Sequence, residues 1–181
     1  MCGGRGTRLD SDVEKPLFEV CGVPMVDRVA AALDGSRVET VYPVVSPHAP
    51  ATREHLGRPC IETPGEGYVA DLQAALADDR IERPVLTAAA DLALLDAAVV
   101  DTVLDAHDEG SLTVVVPVER KRELGVSVDT TFDYAGRAVT PAGLNVVGPQ
   151  EADVTYVTED PRLAVNVNRP ADARVAEARC D

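Results

Sequence analysis

Apolar positions along the chain switch between two periods, and the switching predicts an alternation of helices and strands. In "MVDRVAAALD" (25–34) the apolar residues Val26, Val29, Ala30 and Leu33 recur every three to four positions, the spacing of one helix face. "VETVYPVVS" (38–46) is rich in valine and predicts a strand. A short helix is expected over 49–57 and a short strand over "PCIET" (59–63). "GYVADLQAALADD" (67–79) is helical again, with Val69, Leu72, Ala75 and Leu76 on one face. "RPVLTAAAD" (83–91) reads as a buried strand ending at Asp91. "LDAAVVDTVLDAHDEG" (95–110) predicts a helix with Asp96 as its N-cap and Gly110 as its stop, and "SLTVVVPV" (111–118) predicts a core strand. This βαβα order points to a doubly wound α/β sheet with helices on both faces.

Beyond residue 118 the pattern shortens. "VSVDTTFDYAGRAVTPAGLNVVG" (126–148) holds short alternating strands between turn residues, expected as a hairpin lid. "LAVNVN" (163–168) predicts a strand, and "RPADARVAEA" (169–178) a last helix with Pro170 in its first turn. One domain over 1–181 is expected, with a β-rich insertion at about 119–157.

The net charge of −14 narrows the partners, because gripping a nucleic-acid backbone takes a basic surface. No nucleic-acid partner is expected. No apolar run approaches 18 residues and the first residues are Gly- and Arg-rich, so no stable membrane insertion and no leader are expected, and a cytoplasmic setting follows. Cys2, Cys21, Cys60 and Cys180 form no CxxC and have no histidine at zinc spacing, so free thiols are expected. Of the 17 basic residues only Lys15 and Lys121 are lysines. Together with the acidic excess and few aromatics, this is the composition of a protein from a salt-rich cytoplasm. The Asp and Glu runs read as a solvated face, and Arg120, Lys121 and Arg122 as an exposed basic turn.

The densest chemistry lies in "CGGRGTRLDSDVEKPL" (2–17). Gly3, Gly4 and Gly6 let backbone N–H groups approach an anion closely, and Arg5 and Arg8 add forked donors suited to phosphate. The spacing is neither GxGxxG nor GxxxxGK[ST], which excludes the dinucleotide fingerprint and the P-loop. With Lys15 close behind, the stretch points to polyphosphate binding. Asp91, at the carboxyl end of a buried strand, stands where open α/β sheets bind ligands and could hold Mg²⁺; a loop or helix-capping aspartate is the alternative. His48, His55 and His107 show no carboxylate at triad-like spacing, and no general base is assigned.

"GGRGTR…EKPL" resembles the signature of the MobA-like nucleotidyltransferases, Rossmann-like enzymes that transfer NMP from an NTP. "SPHAPATREHL", "TPGEGYVADL", "AADLALL", "TPAGLNVVGP" and "LAVNVNRPADARVAEA" follow in order, and together resemble the branch of archaeal GTP:adenosylcobinamide-phosphate guanylyltransferases. The resemblance implies a Rossmann-like, mostly parallel sheet, with GTP, adenosylcobinamide phosphate and Mg²⁺ bound, and leaves a homodimer open. Gly3, Gly4, Arg5, Gly6, Thr7 and Arg8 would wrap the GTP phosphates. Lys15 would stabilise charge as pyrophosphate leaves, so Arg8, Lys15 and Asp91 form the implied catalytic set. Thr63, Gly65 and Gly67 would help form the guanine and ribose pocket, with Asp71 and Ser46 nearby. Gly143 and Asn145 would sit beside the ribose or acceptor. Asp91 would bind Mg²⁺, with Asn166 and Asn168 on the metal side. Molybdopterin guanylyltransferases and other MobA-like transferases are the enzymatic alternatives, and an idle nucleotide-binding regulator is the other. The resemblance also implies that a short apolar strand precedes the glycine loop, with Met1 and Cys2 aligned to its last residues and the start of the chain roughly five to seven residues upstream, a typical strand length.

The acidic excess generates one prediction. Self-repulsion is screened when the Debye length falls to about 3 Å at 1 M salt, so the melting temperature should rise from dilute buffer to molar salt. Equal melting temperatures in the two would contradict it.

Overall fold

In the computed structural model, which describes residues 1–2, 8–9, 11–150 and 153–180, a 3-10 turn at Lys15–Leu17 leads into a tight antiparallel hairpin. Its strands, β1 (Glu19–Val20) and β2 (Val23–Pro24), are joined through Cys21 and Gly22, both at positive φ. Helix α1 (Met25–Asp34) follows and buries Met25, Val26, Val29 and Ala32. Next come β3 (Val44–Val45), α2 (Pro50–Leu56) and β4 (Ile61–Glu62), where β3 and β4 pair in parallel. Then α3 (Tyr68–Leu76), β5 (Val85–Ala88), α4 (Ala97–Asp105) and β6 (Ser111–Pro117) continue the alternation. Asp96 caps α4 as expected, accepting from Val99 N at 2.8 Å.

The later chain departs from its expected form. Residues Val118–Leu124 form a helix, α5, instead of an exposed turn. Strands β7 (Phe132–Tyr134) and β8 (Arg137–Val147) do form a hairpin, but β8 is no lid. It lies inside the main sheet, antiparallel to β5 on one side and β6 on the other, and β9 (Asp153–Val157) pairs in parallel with β6. The sheet is therefore mixed, in the order β5-β8-β6-β9. Turn-rich flanks and alternating polar positions disguised β8, because its polar side chains are accommodated within the sheet. Asn145, for instance, accepts from Val114 N at 3.2 Å, beside the irregularity where the β6–β8 register shifts. The expected strand 163–168 divides into a short helix, α6 (Pro161–Ala164), and an extended segment, before α7 (Pro170–Glu177) closes the fold.

The main core lies between the sheet and helices α1, α4 and α6. Leu92, Val100, Val103, Val114, Val116, Ala142, Leu144 and Ala164 are all fully buried. Burying such side chains supplies the dominant favourable term in folding. Helix α3 keeps Leu72, Ala75 and Leu76 of its expected face inward, but not Val69 at its start. Val69 is 66% exposed, while Asp71 and Ala75 face inward, which brings a carboxylate toward the sheet edge. Met1 and Cys2 run between β5 and β3: the Met1 ammonium donates to Ala88 O at 2.8 Å and Cys2 N to Val44 O at 2.8 Å.

The cysteine expectation is also corrected. Cys21 and Cys180 are joined as a disulfide that ties the β1–β2 turn to the end of α7, whereas Cys2 and Cys60 are free. Sequence spacing could not reveal this pair, since 159 residues separate its members. Closing so long a loop restricts the unfolded chain, so reduction should lower the unfolding free energy by about 2–4 kcal/mol. Denaturant titration with and without reductant measures this, and coincident curves would contradict it.

Candidate active site

Two segments far apart in sequence deliver the central charges. The buried run of β5 continues past Ala88 to Asp91, whose backbone oxygen accepts from Val167 N at 3.0 Å. The 3-10 turn delivers Lys15, and Glu14 beside it anchors that turn to the start of α2. Its carboxylate accepts from Ala51 N at 2.8 Å, Thr52 N at 2.7 Å and Thr52 Oγ1 at 2.6 Å. Burial pushes the Glu14 carboxyl upward, but the hydrogen bonds from Thr52 and Ala51 outweigh it and hold the group below its ordinary range.

Lys15 Nζ then donates to Asp91 Oδ2 at 2.6 Å and to Asn168 Oδ1 at 2.7 Å. Both members of the ion pair keep only 17% of their side-chain exposure, so their attraction is less screened than that of surface pairs. On its other oxygen Asp91 accepts from Asn166 Nδ2 at 3.1 Å. Asp172, fully buried, holds the asparagine segment in place. It accepts from Asn168 N, Arg169 N, Ser127 N and Ser127 Oγ at 2.7–3.0 Å.

A cleft of about 780 Å³ opens beside this cluster, lined by Lys15, Asp91, His48, Gly65, Gly67 and Asp71. Asp71 Oδ1 accepts from Gly65 N at 2.8 Å and bends the loop before α3 toward the cleft. Gly65 sits at φ +76°, and a Cβ there would meet the His48 ring at 3.1 Å, so the loop closes tightly only with glycine. The start of α3, with its unpaired backbone N–H groups, faces the same space.

Of the residues singled out from sequence, Lys15, Asp91, Asn166 and Asn168 meet at one point, and Gly65, Gly67 and Asp71 line the adjoining cleft. Ser46 and Thr63 line a neighbouring cleft of about 510 Å³ instead. Gly143 and Asn145 belong to the sheet: Gly143 O accepts from Ala89 N at 2.8 Å, and the Asn145 oxygen is used by Val114. Arg8 pairs with Asp129 at 2.8 Å, as does Arg169 at 2.6 Å, away from Asp91. Gly3, Gly4, Arg5, Gly6 and Thr7 lie outside the described residues. Asn166 turns its amide nitrogen toward Asp91 and its oxygen toward Lys121 at 2.8 Å, so in this arrangement that oxygen is not offered to a cation beside Asp91.

Three contributors escaped the sequence reading: Glu14, Asp172 and Lys121. Asp172 stands at the third position of α7, where a carboxylate often caps a helix start, so a signal for it existed. Lys121, expected in an exposed turn, is 3% exposed, and burial holds its pKa below the ordinary lysine value while Asp91, Asp172 and Asp129 oppose that shift. His48 lines the cleft beside Gly65, whereas the other two histidines stay apart from the cluster. His55 pairs with Asp27 at 2.9 Å on the surface, and His107 meets Gly110 O at 2.7 Å.

The donor set fits a small hard cation. One carboxylate oxygen and one amide oxygen already converge on a single ammonium, and Mg²⁺ characteristically takes one or two protein oxygens, with waters and substrate phosphates completing its shell.

The chain is 29% identical to the adenosylcobinamide-phosphate guanylyltransferase of Methanocaldococcus jannaschii, over 98% of this chain and 93% of that protein. It is 30% identical to the bifunctional protein GlmU of Brevibacillus brevis over 65% of this chain, which spans only 27% of that longer protein. In three dimensions it resembles a CMP:2-keto-3-deoxy-manno-octonic acid synthetase solved with CTP, with a TM-score of 0.61 at 14% identity over 94% of each chain. The MobA-like NTP transferase domain matches residues 1–153. With a nucleotidyltransferase fold around a Lys15–Asp91 cluster that opens on a wide cleft, the chain belongs to the MobA-like NTP transferase family.

Proposed function

We propose that the protein transfers GMP from GTP to the phosphate of adenosylcobinamide phosphate and releases pyrophosphate. The observation that carries this reading is the similarity to a guanylyltransferase of that name along 98% of the chain, including the segments that supply Lys15, Asp91 and Asn168. The setting proposed is a salt-rich cytoplasm.

In the reaction an oxygen of the acceptor phosphate forms a bond to the α-phosphorus of GTP. The bond from that phosphorus to the bridging oxygen breaks, and its electron pair leaves with pyrophosphate. The acceptor oxygen is already ionised near neutral pH, so no side chain needs to remove a proton. The chief obstacle is the approach of two anions, and positioned cations lower it. Lys15 supplies one such charge. Its ammonium exchanges Asp91 and Asn168 for phosphate oxygens and meets the charge growing on the leaving group. Mg²⁺, held by Asp91 and the Asn168 oxygen, would neutralise phosphate charge. The loop at Gly65 and Gly67, braced by Asp71, receives the nucleoside end. Gly3–Thr7 and Arg8 are the residues proposed to bind the GTP phosphates, and Arg8 would exchange Asp129 for them.

The test is pyrophosphate release in molar salt with GTP, Mg²⁺ and one acceptor at a time: adenosylcobinamide phosphate, molybdopterin or a sugar phosphate. Release with the first alone is expected. Release with only another acceptor, or GTP binding with no release, would overturn the assignment. Lys15→Ala and Asp91→Ala should each lower the rate by about 10²–10³ while leaving the circular dichroism spectrum unchanged. Near-normal turnover in either removes that residue from the catalytic set.

A further inference from the structure

Lys121 has no part in the reaction as described, yet it is one of only two lysines in the chain and lies almost wholly buried on α5. A buried ammonium is retained only where its donors find acceptors. The acceptor here is Asn166 Oδ1 at 2.8 Å. The nitrogen end of the same amide donates to Asp91 Oδ1 at 3.1 Å and to Ala142 O at 2.9 Å.

The arrangement admits one orientation. An ammonium only donates, whereas a carboxylate and a backbone carbonyl only accept. Flipping the Asn166 amide would set its NH₂ against Lys121, and its oxygen against the Asp91 carboxylate and the Ala142 carbonyl. Three attractive contacts would become three repulsive ones. The backbone leaves room for the amide to approach this closely. Gly143 sits at φ +90°, and a Cβ there would lie 3.2 Å from Asn166 Nδ2. With Oδ1 of Asp91 tied to Asn166, its Oδ2 is the oxygen left to face Lys15 and the cleft.

We propose that Lys121 is a positioning residue for nucleotidyl transfer, acting through the Asn166 amide to fix the orientation of the Asp91 carboxylate. This inference rests on the nucleotidyltransferase reading of the site. Lys121 touches neither the cleft nor any reacting atom. It decides which way its neighbour's amide points, and that amide decides which carboxylate oxygen is free.

Lys121→Met keeps the unbranched stem and removes the donor. With GTP and the accepted phosphate acceptor it should lower kcat about 10–100-fold, the usual loss when a group supporting a site residue is removed, while KM for GTP stays within about twofold. Asn166→Ala should give a similar loss, and the double variant should lose no more than the larger single loss, because both act through one contact. Additive losses, or an unchanged kcat in folded Lys121→Met, would overturn the proposal. A second readout needs neither turnover nor a folded variant. In the wild-type protein, NMR should show the Asn166 side-chain amide protons protected from solvent exchange. Exchange as fast as that of an exposed asparagine would also overturn it. If wild-type protein releases no pyrophosphate with any acceptor, the functional reading fails by itself, and the exchange measurement still tests the amide's orientation.

Discussion

Everything at the site depends on a single ammonium placed between two oxygens. Lys15 Nζ joins Asp91, 76 positions away, to Asn168, 153 positions away. Three regions that share no local sequence signal thereby meet at the carboxyl end of β5. The pair is partly sheltered rather than fully buried, which suits the exchange of partners proposed for Lys15. In a dry interior the charges would hold each other too firmly, and in open water too weakly.

The fold around this point serves to hold its parts still. Glu14 pins the lysine turn to α2, Asp172 pins the asparagine segment to α7 and Ser127, and Val167 ties that segment to the backbone of Asp91. Sheet order contributes too. Because β8 lies between β5 and β6, Gly143 falls directly under Asn166, and the amide can approach where any larger residue would intrude. Preorganisation of this kind places donors before the substrate arrives, so their orientation costs nothing further at the moment of reaction.

Local features were legible in the sequence. The α1 stripe, the Asp96 cap and the position of Asp91 at the end of an apolar strand depend on neighbours within a few residues. Lys15 was legible because a lysine is rare here and follows a glycine loop. Features set by distant partners were not. "VERKREL" looks solvated because five of its seven residues are charged and only its two ends are apolar; only the packed structure shows Lys121 turned inward to Asn166. Val69 looked buried because it falls on the apolar face of α3, whereas the first turn of that helix turns Asp71 inward to Gly65 and leaves Val69 exposed. Likewise β8 was hidden because its polar residues are satisfied by strands encoded elsewhere in the chain. The asparagine pair drew attention through family resemblance, but its division of labour emerged from geometry: Asn168 offers an oxygen and Asn166 a nitrogen.

The most direct test of the central claim is a crystal structure with Mg²⁺ and a GTP analogue that cannot release pyrophosphate. The predicted result is a triphosphate in the cleft beside Asp91, with Lys15 Nζ moved from Asp91 Oδ2 onto a phosphate oxygen and Asn166 still linking Lys121 to Asp91. A nucleotide bound elsewhere, with the 2.6 Å contact between Lys15 and Asp91 intact, would contradict it.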